Sequence, residues 1–164
     1  MPKTESAPAK AMTRGDLEIV ITRELDAPRE LVFKAITDPT LISKWWGPRR
    51  YTTVVDKMDV RPGGAWRFVH RGADGEFAFR GVYREIVPPE KIVQTFEWEG
   101  MPGHISVETL TLEEIDGKTR ITATSVFATK EDRDGMWQSG ADSGGRETWD
   151  RFAELVRELH QKSR

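Results

Sequence analysis

The stretch "AWRFVHRGADGEFAFRGVYREIV", residues 65–87, decides the fold. Trp66, Phe68 and His70 alternate with Arg67 and Arg71. After a break at "GADGE", Phe77, Phe79, Gly81 and Tyr83 alternate with Arg80 and Arg84. A period of two is the signature of a β-strand, whose successive side chains point to opposite faces. The aromatic faces must be the inner ones, because exposed rows of rings over buried guanidinium groups would be prohibitive.

The same grammar runs from Tyr51 to Phe127. "YTTVVDKMDV" is a strand closed by "RPGG". In "KIVQTFEWE", Ile92, Gln94, Phe96 and Trp98 oppose Val93, Thr95 and Glu97. "ISVETLTLEEI" and "KTRITATSVF" are joined by Asp116-Gly117, a strong hairpin signal. In the first of these, Leu110 and Leu112 draw Glu108 inward, although the pattern leaves the phase open. Short connections imply an antiparallel meander.

Ahead of this run, "DLEIVITREL" reads as a strand through Leu17, Ile19 and Ile21. "DAPRELVFKAIT" reads as a helix with Asp26 as cap and Pro28 in the first turn, and Val32, Phe33 and Ile36 at helical spacing. "DPTLISKWW" repeats the device with Asp38 and Pro39, and Gly47-Pro48 stops it. From about Asp132 to Gln161 the chain reads as helical, with Trp149, Phe152, Val156 and Leu159 in one stripe. Residues 1–15 are polar, small and Pro/Ala-rich. They read as a disordered tail, of which residues 1–14 are removable with stability unchanged, ahead of one domain over 16–162.

The predicted class is α+β. A curved antiparallel sheet of about seven strands wraps a long C-terminal helix, with two short helices after the first strand. A doubly wound fold is argued against by the run of strands without intervening helices. The composition excludes several functions. The chain has 164 residues, no cysteine and a net charge of −2, so disulfides and thiolate metal sites are out. Neither a nucleic-acid footprint nor a polybasic membrane patch is present. No apolar run approaches the roughly 18 residues of a membrane span, and the first residues have no secretory h-region. A cytoplasmic location is the expectation.

This element order, with "APRELVFKAITDPTLISKWWGP", "RPGGAWRF", "GVYREIVPPEKIVQTFEWEG" and "GKTRITAT", resembles the START-like superfamily. More narrowly, it is similar to the SRPBCC branch related to activators of the heat-shock chaperone ATPase, the AHSA-type domains. The resemblance covers about Leu17 to Leu159. It implies a helix-grip fold with a cavity between sheet and helix. It also implies one of three roles: binding of a small hydrophobic or aromatic molecule, polyketide-cyclase-like or dehydratase-like chemistry, or contact with a stress-response chaperone. No cofactor is implied, and a homodimer is compatible with it.

Strand phase and the expected cavity together select candidate ligand-binding residues: Trp46, Trp66, Phe68, His70, Phe79, Tyr83, Phe96, Trp98 and Glu108. The same helical side as Phe152 adds Trp137, Ala141 and Gly145. The alternative for the strand residues is a large solid core with a few satisfied polar groups. For the helix the alternative is a loop over "GADSGG". Of the adjacent tryptophans in "KWWGPRRY", Trp45 is expected in the core. Trp46 either hangs over the cavity entrance or packs on the following strand. Arg49 and Arg50 are expected to be solvated. His70, His104 and His160 fall on three elements without metal-ligand spacing. A His70–Glu108 acid–base pair requires both to point inward and to meet.

Overall fold

The computed structural model describes residues 9–141 and 144–163. Among these residues, eight strands form one fully antiparallel sheet: β1 Lys10–Arg14, β2 Glu18–Leu25, β3 Thr52–Met58, β4 Ala65–Gly72, β5 Gly75–Val87, β6 Lys91–Trp98, β7 Ile105–Ile115 and β8 Lys118–Val126. The spatial order is β1-β2-β8-β7-β6-β5-β4-β3. Helices α1 Arg29–Thr37 and α2 Pro39–Trp45 follow β2. At the other end, α3 Lys130–Met136 and a π-helical turn, Trp137–Ala141, precede the long α4, Gly144–Lys162. This is the expected helix-grip architecture, with one strand more than the pattern suggested.

The additional strand is β1. The expectation of a disordered stretch up to residue 15 is overturned for residues 10–14, which pair with β2 from Lys10↔Thr22 to Arg14↔Glu18. Ala9 is buried in the core. The sequence conceals this strand for a physical reason. An edge strand is held mainly by backbone hydrogen bonds, and β1 leaves most of its side chains in water, so no apolar alternation marks it.

Capping chemistry sorts the two short helices. The Asp38 carboxylate accepts hydrogen bonds from the Thr40 backbone N–H at 2.9 Å and the Thr40 hydroxyl at 2.7 Å, with Pro39 in the first turn of α2. Asp26 does not cap α1 as expected. Pro28 occupies the N-cap, and the Asp26 carboxylate lies 3.4 Å from Lys118 and 3.8 Å from Arg157.

The arginine and aromatic faces separate as the alternation requires. On the convex side, Arg67 grips Glu99 at 2.7 and 2.9 Å, and Arg80 pairs with Glu97 at 3.1 Å. On the concave side α4 buries Trp149, Phe152, Ala153 and Val156 against α2 and the sheet. Trp45 closes this contact, its ring 4.4 Å from Phe152 and its indole N–H donating to the Ala35 carbonyl at 3.0 Å. Full burial of a side chain such as Phe152 contributes about 1.5–3 kcal/mol.

The β1 pairing is measurable. A chain beginning at residue 15 is expected to melt about 2–6 °C below one beginning at residue 9, the equivalent of about 1–2 kcal/mol for a domain of this size. Equal melting temperatures would show that β1 contributes nothing to stability.

Candidate functional site

One long helix and two short ones do not fill the concave face of so broad a sheet. The space left is a cavity of about 450 Å³, within the range of small-molecule sites. Eight of the expected residues lie on its wall: Trp46, Trp66, Phe68, His70, Phe79, Tyr83, Phe96 and Glu108.

Two are placed elsewhere. Trp98 shares a sheet face with Phe96 but sits at the last position of β6, beyond the wall, 36% exposed and with Gly100 against its ring. Trp137 is half-buried and absent from the wall, where Met136 and Ser139 stand instead. The cause is the π-helical turn. Its extra residue per turn breaks the 3.6-residue phase that had aligned Trp137 with Phe152. The side-chain positions of Ala141 and Gly145 lie outside the described residues.

Trp46 is the centre of the aromatic wall. Its ring lies 5.0 Å from Phe68, 4.9 Å from His70, 5.4 Å from Phe79 and 6.2 Å from Trp66. It therefore packs on rings of β4 and β5 rather than on the strand that follows it. Two devices hold it there. The Thr53 hydroxyl donates to the Trp46 carbonyl at 2.6 Å. The Arg151 guanidinium, from α4, donates to the carbonyls of Gly47 at 2.5 Å and Lys44 at 2.9 Å. Arg49 is also not simply solvated: its backbone N–H donates to Glu147 at 2.9 Å, and its guanidinium meets both Glu154 oxygens at 3.0 Å. Arg50 lies over the Tyr51 ring, 4.9 Å from its centre.

Glycine is required at two points, one on this wall and one against the Trp66 ring. Gly47 has φ +89°, and a Cβ there would stand 2.3 Å from His70 Nε2. At Gly81 a Cβ would stand 2.4 Å from Trp66 Nε1 and 1.9 Å from the Thr95 carbonyl, so the indole lies flat against bare backbone.

His70 is buried, with Tyr51 stacked on it at 5.2 Å and an interplanar angle of 10°. Its Nε2 has no hydrogen-bond partner among the described residues. Burial first, and the positive charge of Arg151 second, push its pKa down to about 4. The imidazole is thus neutral at neutral pH. Glu108 lies on the far side of the wall. Its Oε1 accepts from the Gln94 amide at 3.0 Å, and burial holds its carboxyl above the usual range against that hydrogen bond. The surface Glu108 keeps open faces the cavity.

His70 and Glu108 do not meet. They stand on β4 and β7, three strand spacings apart, about 14 Å along the sheet. Among the described residues no three His, Asp or Glu side chains converge in a way that could hold a metal ion. Sequence reasoning missed Tyr51, Ser106, Ala123, Ser125, Met136 and Trp149 as wall residues. The parity of Glu108 and Leu110 implies Ser106. The others depend on register and helix packing.

The burial of His70 has a pH consequence. The unfolded imidazole takes a proton near pH 6.5 and the folded one only near 4. Stability is therefore unaffected above pH 6.5 and falls as pH drops through that window, by up to about 3 kcal/mol. In urea unfolding between pH 7 and 4, His70→Phe is expected to show a shallower decline than the wild type. Parallel curves would show that His70 titrates normally.

A model of the family described as Activator of Hsp90 ATPase homolog 1-like protein matches residues 26–157. No curated protein matches the sequence. Among solved structures, a protein from Arthrobacter aurescens superposes with a TM-score of 0.83 at 23% identity, covering 91% of each chain. Protein Ms6760 from Mycobacterium smegmatis gives 0.80 at 24%, covering 92% of this chain and 96% of its own. Protein CV1439 from Chromobacterium violaceum gives 0.75 at 26%, covering 87% and 98%.

Proposed function

The chain belongs to the family of Activator of Hsp90 ATPase homolog 1-like proteins, and from that premise we propose that it binds a small, largely apolar or aromatic molecule inside the grip. The observation that carries this reading is the wall itself. Aromatic side chains, among them Trp46, Trp66, Phe68, Phe79 and Phe96, line a space of about 450 Å³ that also admits a few fixed polar groups. Small-molecule sites have this anatomy, with apolar area for affinity and sparse polar groups for orientation.

Catalysis of the cyclase or dehydratase kind has less support. It would need an acid and a base within reach of one another or of a common substrate atom. The polar pair on the wall is Gln94 with Glu108, and an amide is neither acid nor base at neutral pH. The chaperone contact suggested by the family description would use an exposed apolar surface. Trp98 at the end of β6, Met101 in the connection and Ile105 at the start of β7 are the side chains such a contact would take.

Native mass spectrometry on freshly purified protein is expected to show a retained small molecule. A cavity-filling variant separates a pocket from a solid core. Ala123→Phe, on the β8 part of the wall, should reduce uptake of an aromatic probe by about tenfold or more while leaving the melting temperature level or higher. Overpacking of a solid core would instead cost about 1–3 kcal/mol. A destabilised variant, with no probe binding saturably to the wild type, would remove the binding reading.

A further inference from the structure

The cavity's polar groups form a row. The register sets Tyr83 beside Gln94, Gln94 beside Glu108, and Glu108 beside Ser125, across β5, β6, β7 and β8. One step along the strands the row turns apolar, with Ile92, Leu110 and Ala123 in line, the last two on the wall. Two residues the other way along β6 stands Phe96, which stacks on Phe79 at 5.6 Å. The carboxyl of Glu108 is therefore at the boundary between a polar row and an aromatic cluster.

That carboxyl is incompletely paired. Gln94 supplies one hydrogen bond, to Oε1. Oε2 accepts none from any described residue. No Lys or Arg is on the wall among the described residues, and α4 contributes only Thr148 and Trp149 to it. The titratable side chains there are Tyr51, His70, Tyr83 and Glu108. Among the described residues of the wall His70 is the only base, and it is neutral and three strands away. A buried carboxylate without a cation is costly, which is what holds this carboxyl above the usual range, and among the described residues the wall supplies no cation.

Resting on the ligand-binding reading, we infer that the ligand is an organic cation, an amine carried on an apolar or aromatic body. Its ammonium donates to Glu108 Oε2, and its body lies against Phe96, Phe79, Trp66 and Trp46. The chemistry of the wall discriminates among ligand charges. An anion meets a like charge with no cationic group on the wall, among the described residues, to offset it. A neutral molecule leaves the carboxyl either unpaired or protonated. A cation is matched twice, by the carboxylate and by the negative faces of the rings, whose attraction strengthens when water is excluded.

Three near-isosteric probes test this by titration calorimetry on the full chain: naphthylmethylamine, naphthylmethanol and naphthoate. The amine is expected to bind about tenfold or more tighter than the alcohol, which is about 1.4 kcal/mol, and the carboxylate not measurably. In Glu108→Gln the ratio of amine to alcohol affinity is expected to fall to near one. Alcohol binding as tight as the amine in the wild type would overturn the inference while leaving the binding reading intact. Survival of the amine preference in a folded Glu108→Gln variant would do the same. Should that variant fail to fold, the wild-type order of the probes decides. If no probe binds and no molecule is retained in native mass spectrometry, both readings fall together.

Discussion

Arg151 ties the two halves of the grip together. Its guanidinium leaves the long helix α4 and donates to the carbonyl of Lys44, one of the groups that the end of α2 leaves without a helical partner, and to that of Gly47 just beyond the cap. The bond fixes where α2 ends, and so where Trp46 points. It also carries a positive charge to within reach of His70, which helps to keep that ring neutral. Trp45 and Trp46 are adjacent in sequence and both reach the cavity wall, yet one is anchored on Phe152 of the core and the other on the rings of β4 and β5. Only a helix stopped at that point turns them to different environments.

The cavity follows from an imbalance of surfaces. A sheet this broad presents more inner face than one amphipathic helix can cover. The strands at the β4–β5 side answer with large rings that pack on one another. The strands at the β6–β8 side answer with smaller and more polar side chains. Gly81 and Gly47 show the tolerance of this arrangement: at each a single carbon would collide with Trp66 or His70. The pocket is therefore shaped by close packing around it and is not a region of loose structure.

Much of this was legible in the residues. Alternation located the long strands and assigned their faces correctly, because burying arginine and exposing rings is too costly for any competing phase to survive. Asp38-Pro39 and Gly47-Pro48 marked α2 because caps are local chemistry. The failures have local causes too. β1 carries no apolar code. Trp98 has the right face but lies past the rim. Trp137 lost its phase to a π-helical turn. Asp26 reads as a helix cap but pairs with Lys118 and Arg157, which are distant in sequence.

The amino-acid sequence by itself determined the class of fold, the inner and outer faces of β4 to β6, and the aromatic character of the concave surface. These rest on periodicity and on the cost of burying charge, and neither needs a partner element to be known. Tertiary structure alone decided that Glu108 stands next to Gln94 and Ser125 and apart from His70, because strand register is a relation between segments. It also decided that the solvent-exposed Arg49 answers Glu147 and Glu154 as well as water. The difference is one of range. A side chain's face is set by its neighbours in sequence, whereas its hydrogen-bond partner is set by whichever strand or helix the whole chain brings beside it.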